Sequence, residues 1–308
     1  MDKPLTRKQI FHLFEKRQIS REKALQLISK LQNQKQRPET SQKKSEGTTT
    51  GWQDIAIIGI AGRFPMSDNV AQFWENLKAG RDCISEVPKT RWDMDKYYDP
   101  DPKAKDKSCS KWGGFVSDVD RFDSLFFAIS PKEAEVMDPQ QRLFLQEAWN
   151  AFEDAGYANH DLSNKKCGVY VGCIIGDYRQ KLNTSQGFGG SNFLIGNIPS
   201  LLPARISYFL NLKGPSLNID TACSSALVAT HIACEAIHSG TCEMALVGGV
   251  ALINSPGYFI GASQAGILSP DGQCRAFDEN ANGFVNGEAV GAMVIKPASA
   301  AIRDGDQI

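Results

Sequence analysis

The stretch from residue 214 to residue 240, GPSLNIDTACSSALVATHIACEAIHSG, passes from a short apolar strand pattern through Cys223 into a long helical pattern. In the helical part Ala226, Leu227, Val228, Ala229, Ile232, Ala233, Ala236 and Ile237 cover nearly the whole circumference, which predicts a helix over 224–239 buried on most sides. Cys223 falls at its first turn. Free backbone N–H groups and the positive end of the helix dipole favour a thiolate there, and a strand-to-helix turn can lift a sulfur into a pocket. Position alone leaves two readings open, a nucleophile or a small buried residue, because most cysteines in a chain with eight pack as small hydrophobes.

Outward from this stretch, strand and helix patterns alternate. DIAIIGI (54–60), CGVYVGCII (167–175), PSLNI (215–219) and MALVGGVALI (244–253) read as strands, while DNVAQFWENLKAG (68–80) reads as a helix ended by Gly80. Ser130 with Pro131 and Glu133 marks one helix start, Asp138 with Pro139 another, and Gly156 a stop. Leu145, Ala148, Trp149 and Phe152 form the buried stripe between them. A further helix over 199–214 contains Pro203, which predicts a kink. Residues 80–130, with Trp92, Tyr97, Tyr98 and Trp112, read as a long irregular excursion over the core. The alternation implies an α/β fold with a mostly parallel, helix-covered sheet.

The 308 residues are 42% hydrophobic and 22% charged, ordinary for a globular protein. Charge is unevenly spread: residues 1–50 hold 12 Lys+Arg against 5 Asp+Glu (+7), leaving 22 against 30 (−8) for the remaining 258. Within that basic arm, residues 5–32 read as two short amphipathic helices, one opened by Thr6 and Gln9 as a capping box and one capped by Ser20. Each has an apolar face too small to fold well alone, so residues 1–34 are expected to be a helical segment that packs on a partner or on its own domain. Residues 35–51 read as a flexible linker, and a globular domain is expected over 52–308.

Several function classes are disfavoured. The Lys-rich part of the arm lacks interleaved aromatics, which argues against nucleic acid. No C-x-x-C pair occurs, arguing against structural zinc, and cysteines this sparse suggest reduced thiols in a cytoplasm. The start lacks a signal-peptide core, and no run of 18 apolar residues suggests a membrane span. IIGIAGRFP opens like a nucleotide-binding strand and turn, but Gly59 and Gly62 do not complete G-x-G-x-x-G, so no bound cofactor is expected.

Taken together, DTACSSALVATHIAC (220–234), MDPQQRLFLQEAWNAFEDAGY (137–157), PARISYFLNLKGPSLNIDTACSSA (203–226), ALVGGVALI (245–253) and CRAFDENANGFVNGEAVGAMVIK (274–296) resemble, in order, the ketosynthase domains of modular polyketide synthases and related fatty acid synthases. The resemblance runs from about Asp54 to Ile308. It implies a thiolase-like fold of which this chain holds the first half plus the start of the second, with apolar surface exposed where the twin half packs. It also implies that Cys223 is the nucleophile that takes an acyl chain from the phosphopantetheine arm of an acyl carrier protein, before decarboxylative Claisen condensation with a malonyl-type unit. The N–H groups at the helix start then become candidate oxyanion donors for the thioester carbonyl. A homodimer is implied, and residues 5–32 resemble segments that dock an upstream synthase subunit.

Two departures qualify this. The family's two catalytic histidines lie in motifs past the end of this chain. Of the four histidines present, His12 is in the arm and His160 in a polar turn, while His231 lies ~12 Å along the helix from Cys223, out of hydrogen-bond reach, and His238 farther still. A truncated or non-elongating form that binds and passes on an acyl chain is therefore the alternative, and the fragment alone is expected to be inactive in condensation. In NGEAV, Ala289 stands where the family usually has glycine, which would strain the backbone if φ were positive there.

Overall fold

The computed structural model describes residues 53–157, 159–183 and 191–308. The expected docking helices, the linker and His12 lie outside the described residues.

After β1 (Ile55–Arg63) and α1 (Val70–Lys78) the chain runs through β2 (Ser85–Glu86), a 3₁₀ turn (Met94–Lys96) and β3 (Trp112–Gly114). Next come α2 (Pro131–Val136), α3 (Pro139–Asp154), α4 (Asn159–Leu162), β4 (Cys167–Gly172), α5 (Tyr178–Asn183), α6 (Ser191–Asn197), α7 (Leu201–Phe209) and β5 (Ser216–Ile219). The chain closes with α8 (Ser225–His238), β6 (Met244–Ala251), α9 (Gly257–Gln264), β7 (Asn286–Gly287), β8 (Ala289–Pro297) and α10 (Ala298–Asp304). The central sheet has the order β1-β8-β6-β4-β5.

That sheet keeps the expected common direction in every strand but one. β4 pairs parallel with β5 and β6, but β8 lies antiparallel between β1 and β6. Four strands do run one way. The fifth is reached through the long segment after β6 rather than by a helical crossover, so the chain enters it from the opposite end.

α3 lies across one face. Asp138 caps it by accepting from the Gln140 N–H at 2.8 Å, Pro139 occupies its first turn, and Gly156 (φ 77°) follows its end. Leu143, Phe144, Ala148, Ala151 and Phe152 pack with Ile58, Val169, Val171, Leu246 and Val294 into the main core. Trp149 of the expected stripe is half-buried, edge-on to Phe126 with ring centroids 5.1 Å apart. Pro203 causes no break: it is the third residue of α7, in the first turn, where a missing N–H breaks no intrahelical bond.

α8 covers β4, β5 and β6 on the other face, with Ala229, Ala233 and Ile237 against Tyr170, Ala245 and Val247. It is not buried on most sides. Leu227 is 78% exposed and His231 is exposed, because one stripe of the helix meets the sheet and these two residues lie outside it. Ile57 and Ile60 of β1 are exposed as well.

The excursion over 80–130 supplies β2 and β3 to a small second sheet completed by β7, and Trp92 and Phe115 to an aromatic cluster with Phe259 of α9. Ala289 opens β8 without a positive φ, so alanine is accommodated there without that strain.

Candidate active site

β5 ends at Ile219, α8 begins at Ser225, and the intervening turn carries Cys223, free and exposed. Ser224 occupies the N-cap position without a side-chain capping bond, so Cys223 stands just ahead of it rather than inside the first turn as expected. The turn is knitted by its own side chains. Asp220 accepts from the Ala222 N–H at 3.1 Å, and the Ser225 hydroxyl accepts from the Thr221 N–H at 2.9 Å while donating to the Ala222 carbonyl at 2.6 Å. The Ser224 hydroxyl donates to the Thr221 carbonyl at 2.8 Å. These bonds hold Ala222 at φ 56°, a left-handed backbone that a residue with a Cβ rarely adopts, immediately before the cysteine.

Two glycines let the helix start press on the sheet. Gly172 and Gly249 stand opposite each other in the β4–β6 register. A Cβ on Gly172 would meet the Ala226 nitrogen at 2.6 Å, and one on Gly249 the Ala226 Cβ at 3.0 Å.

Beyond these strand ends opens a pocket of about 560 Å³, lined by Cys223 and by the segments that follow β4 and β6. Its place at the carboxyl ends of parallel strands is where open α/β sheets bind ligands. Ile174, Ile175, Leu252, Ile253, Tyr258 and Phe284 make much of it apolar.

A second cysteine, Cys173, lines the same pocket, but burial, with the charges of Asp138 and Asp220, pushes its thiol up to about 12. It therefore stays protonated at neutral pH, and Cys223 is the pocket cysteine that is exposed. Burial also pushes the Asp138 carboxyl up to about 6. His231 and His238 do not line the pocket; His238 Nε2 lies 2.8 Å from the Gln53 carbonyl. His160 belongs to α4.

Sequence reasoning missed the residues that frame the pocket. Gln140 and Asp177 line it, and Arg91 pairs bidentately with Glu288 beside it at 2.8 and 2.7 Å. Apart from the Asp138–Pro139 cap, no local pattern pointed to them, since each acts on a distant segment.

A family model described as "Beta-ketoacyl synthase, N-terminal domain" matches residues 53–301. The chain belongs to the beta-ketoacyl synthase family. Among curated proteins, this beta-ketoacyl synthase chain is 50% identical over 254 residues to polyketide synthase PksL of Bacillus subtilis, covering 82% of the chain and 6% of that protein. It is 43% identical over 254 residues to polyketide synthase ThaG of Burkholderia thailandensis, covering 82% and 4%.

Among solved structures, the oxazolomycin ketosynthase domain OzmH KS7 of Streptomyces albus matches with TM-score 0.77 and 45% identity, over 83% of this chain and 44% of that one. The ketosynthase from module 6 of the bacillaene synthase of Bacillus subtilis matches with TM-score 0.73 and 48% identity, over 82% and 42%. The beta-ketoacyl synthase fold is thus thiolase-like, and the chain spans less than half of these solved domains and only a small fraction of these curated relatives. No helix among the described residues is long and apolar enough to cross a membrane.

Proposed function

We infer that this chain is the Cys223-bearing part of a polyketide-synthase ketosynthase that loads and extends acyl chains. The observation that carries the reading is the placement of Cys223: exposed, ahead of a helix N-terminus, on a strained turn that faces an apolar pocket. The sulfur attacks the carbonyl of an acyl thioester on an acyl carrier protein. As the C–S bond to phosphopantetheine breaks, that arm leaves as a thiol and the acyl group remains on Cys223.

Backbone N–H groups at the turn, that of Cys223 included, are the candidate donors for the oxyanion. Decarboxylation of a malonyl-type thioester then supplies a carbanion, which attacks the acyl-cysteine carbonyl. The new C–C bond expels the Cys223 thiolate.

Carrier-protein domains, a homodimer and an upstream synthase chain engaged through residues 5–32 are the partners that fit this role. Eight free cysteines fit a reducing, cytoplasmic setting. The alternative reading is transfer of the acyl chain without extension.

Incubating the full-length protein with acyl carrier thioesters and mapping the adduct by mass spectrometry tests both. Loading is expected on Cys223 and is lost in Cys223→Ala; loading that survives the substitution sinks the reading. Carbon dioxide release and an extended product on adding a malonyl thioester select condensation over transfer.

A further inference from the structure

The two pocket walls that follow β4 and β6 leave the sheet side by side, since Gly172 and Gly249 are register partners at the ends of a parallel pair. Past that point β4–β6 ladder pairing ends and side chains join the walls instead. The Asp177 carboxylate, in the segment after β4, accepts from the Asn254 N–H at 3.0 Å, the Ser255 N–H at 2.8 Å and the Ser255 hydroxyl at 2.8 Å, all in the segment after β6. Gln140, 2% exposed, reaches both walls from α3, donating to the Ile174 carbonyl and accepting from the Leu252 N–H, each at 3.3 Å.

The apolar groups carried by these segments face the pocket, Ile174 and Ile175 on one side and Leu252 and Ile253 on the other. We propose that Asp177 and Ser255, braced by Gln140, form a clamp that fixes the gap between these walls and thereby selects acyl chains by cross-section. Ser255 does not line the pocket, so it is a positioning residue that acts through Ile253 and Leu252. The proposal rests on the reading that the acyl group on Cys223 occupies this pocket. Apolar pockets discriminate by size only while their walls hold still, because rejecting a bulkier group needs a wall that does not yield.

The test uses the full-length protein, scored by intact-mass loading rates for pantetheine thioesters with straight, α-methyl-branched and aryl acyl groups. In parallel, alkylation of Cys223 by iodoacetamide reads the sulfur without reference to acyl shape. Ser255→Ala removes one donor to Asp177 and is expected to narrow the spread of loading rates about 5-fold or more, the order of one methylene's worth of selectivity. Ser255→Thr, which keeps the hydroxyl, restores the spread, and alkylation is unchanged in both.

An unchanged spread, or an equal loss for every acyl group with alkylation intact, overturns the clamp. Wild-type loading in Cys223→Ala instead overturns the nucleophile reading on which it rests. If Ser255→Ala does not fold, the near-isosteric Asp177→Asn decides by the same ratio.

Discussion

Asp138 holds a carboxylate where water does not reach, and this makes it the residue whose protonation bears most directly on stability. It is 3% exposed, and burial drives its pKa up to about 6, opposed first by the Gln140 backbone N–H and helped by the negative charge of Asp177. An acid whose folded pKa is raised binds its proton more tightly folded than unfolded, so stability falls as pH climbs from about 4 to about 6 and stays lowered above that. The raised value corresponds to roughly 3 kcal/mol as an upper bound. Asparagine keeps the capping oxygen and carries no charge, so Asp138→Asn is expected to be about 1–3 kcal/mol more stable than wild type at pH 8 and equal to it near pH 4. Urea unfolding at the two pH values checks this, and the same difference at both would show that the charge is not the cause. That Asp138 caps a helix is legible from Asp-Pro in the sequence; that it is sealed from water is not, because the burial comes from loops distant in the chain.

The contact between α8 and β4 depends on one absent side chain. A Cβ on Gly172 would lie 2.6 Å from the Ala226 nitrogen and 2.8 Å from the Ser225 carbonyl carbon, and both are backbone atoms that cannot swing aside. Gly172→Ala must therefore push the helix start off the sheet and carry Cys223 with it. Overpacking of this kind typically costs about 1–3 kcal/mol. A fall of that size in chemical denaturation is expected, together with a changed rate of Cys223 alkylation; a variant with wild-type stability and rate would show that the helix does not lean on β4. Elements of this sort divide by how local their signals are. Caps at Ser130 and Asp138 and the long apolar run of α8 made those helices readable. β2, β3 and β7 are two or three residues long and have no periodicity to read, and the Asn-Gly pairs at 282–283 and 286–287 that precede β8 read as turn signals without saying which way the next strand runs. The strand–cysteine–helix order at the site was legible, while the left-handed Ala222 was not, since alanine does not advertise a positive φ.

At the scale of the molecule, the excursion over 80–130 is tied to the sheet by one ion pair whose partners lie 197 positions apart, too far for any local pattern to show. The Arg91 and Glu288 side chains are 6% and 0% exposed. The Glu288 carboxylate also accepts from the Val116 and Ile253 N–H groups at 2.9 and 2.8 Å, and Arg91 donates to the carbonyls of the same two residues at 2.8 and 3.0 Å. Four chain segments thus meet at one pair, and two of them, at Ile253 and just ahead of Glu288, line the pocket. Burial raises the Glu288 carboxyl while Arg91 and the two N–H groups pull it down, so its charge depends on its partner staying in place. Glu288→Gln leaves the Arg91 guanidinium buried without a counter-charge, and arginine cannot shed its proton to escape. Breaking one half of such a pair costs about 3–5 kcal/mol, whereas replacing both halves by apolar groups of similar volume is often close to neutral. Glu288→Gln is therefore expected to lose about that much in guanidinium unfolding, and Arg91→Met with Glu288→Leu to recover a large part of it. Should Glu288→Gln alone stay within about 1 kcal/mol of wild type, the pair does not hold the excursion to the sheet, and the backbone bonds around it must do so instead.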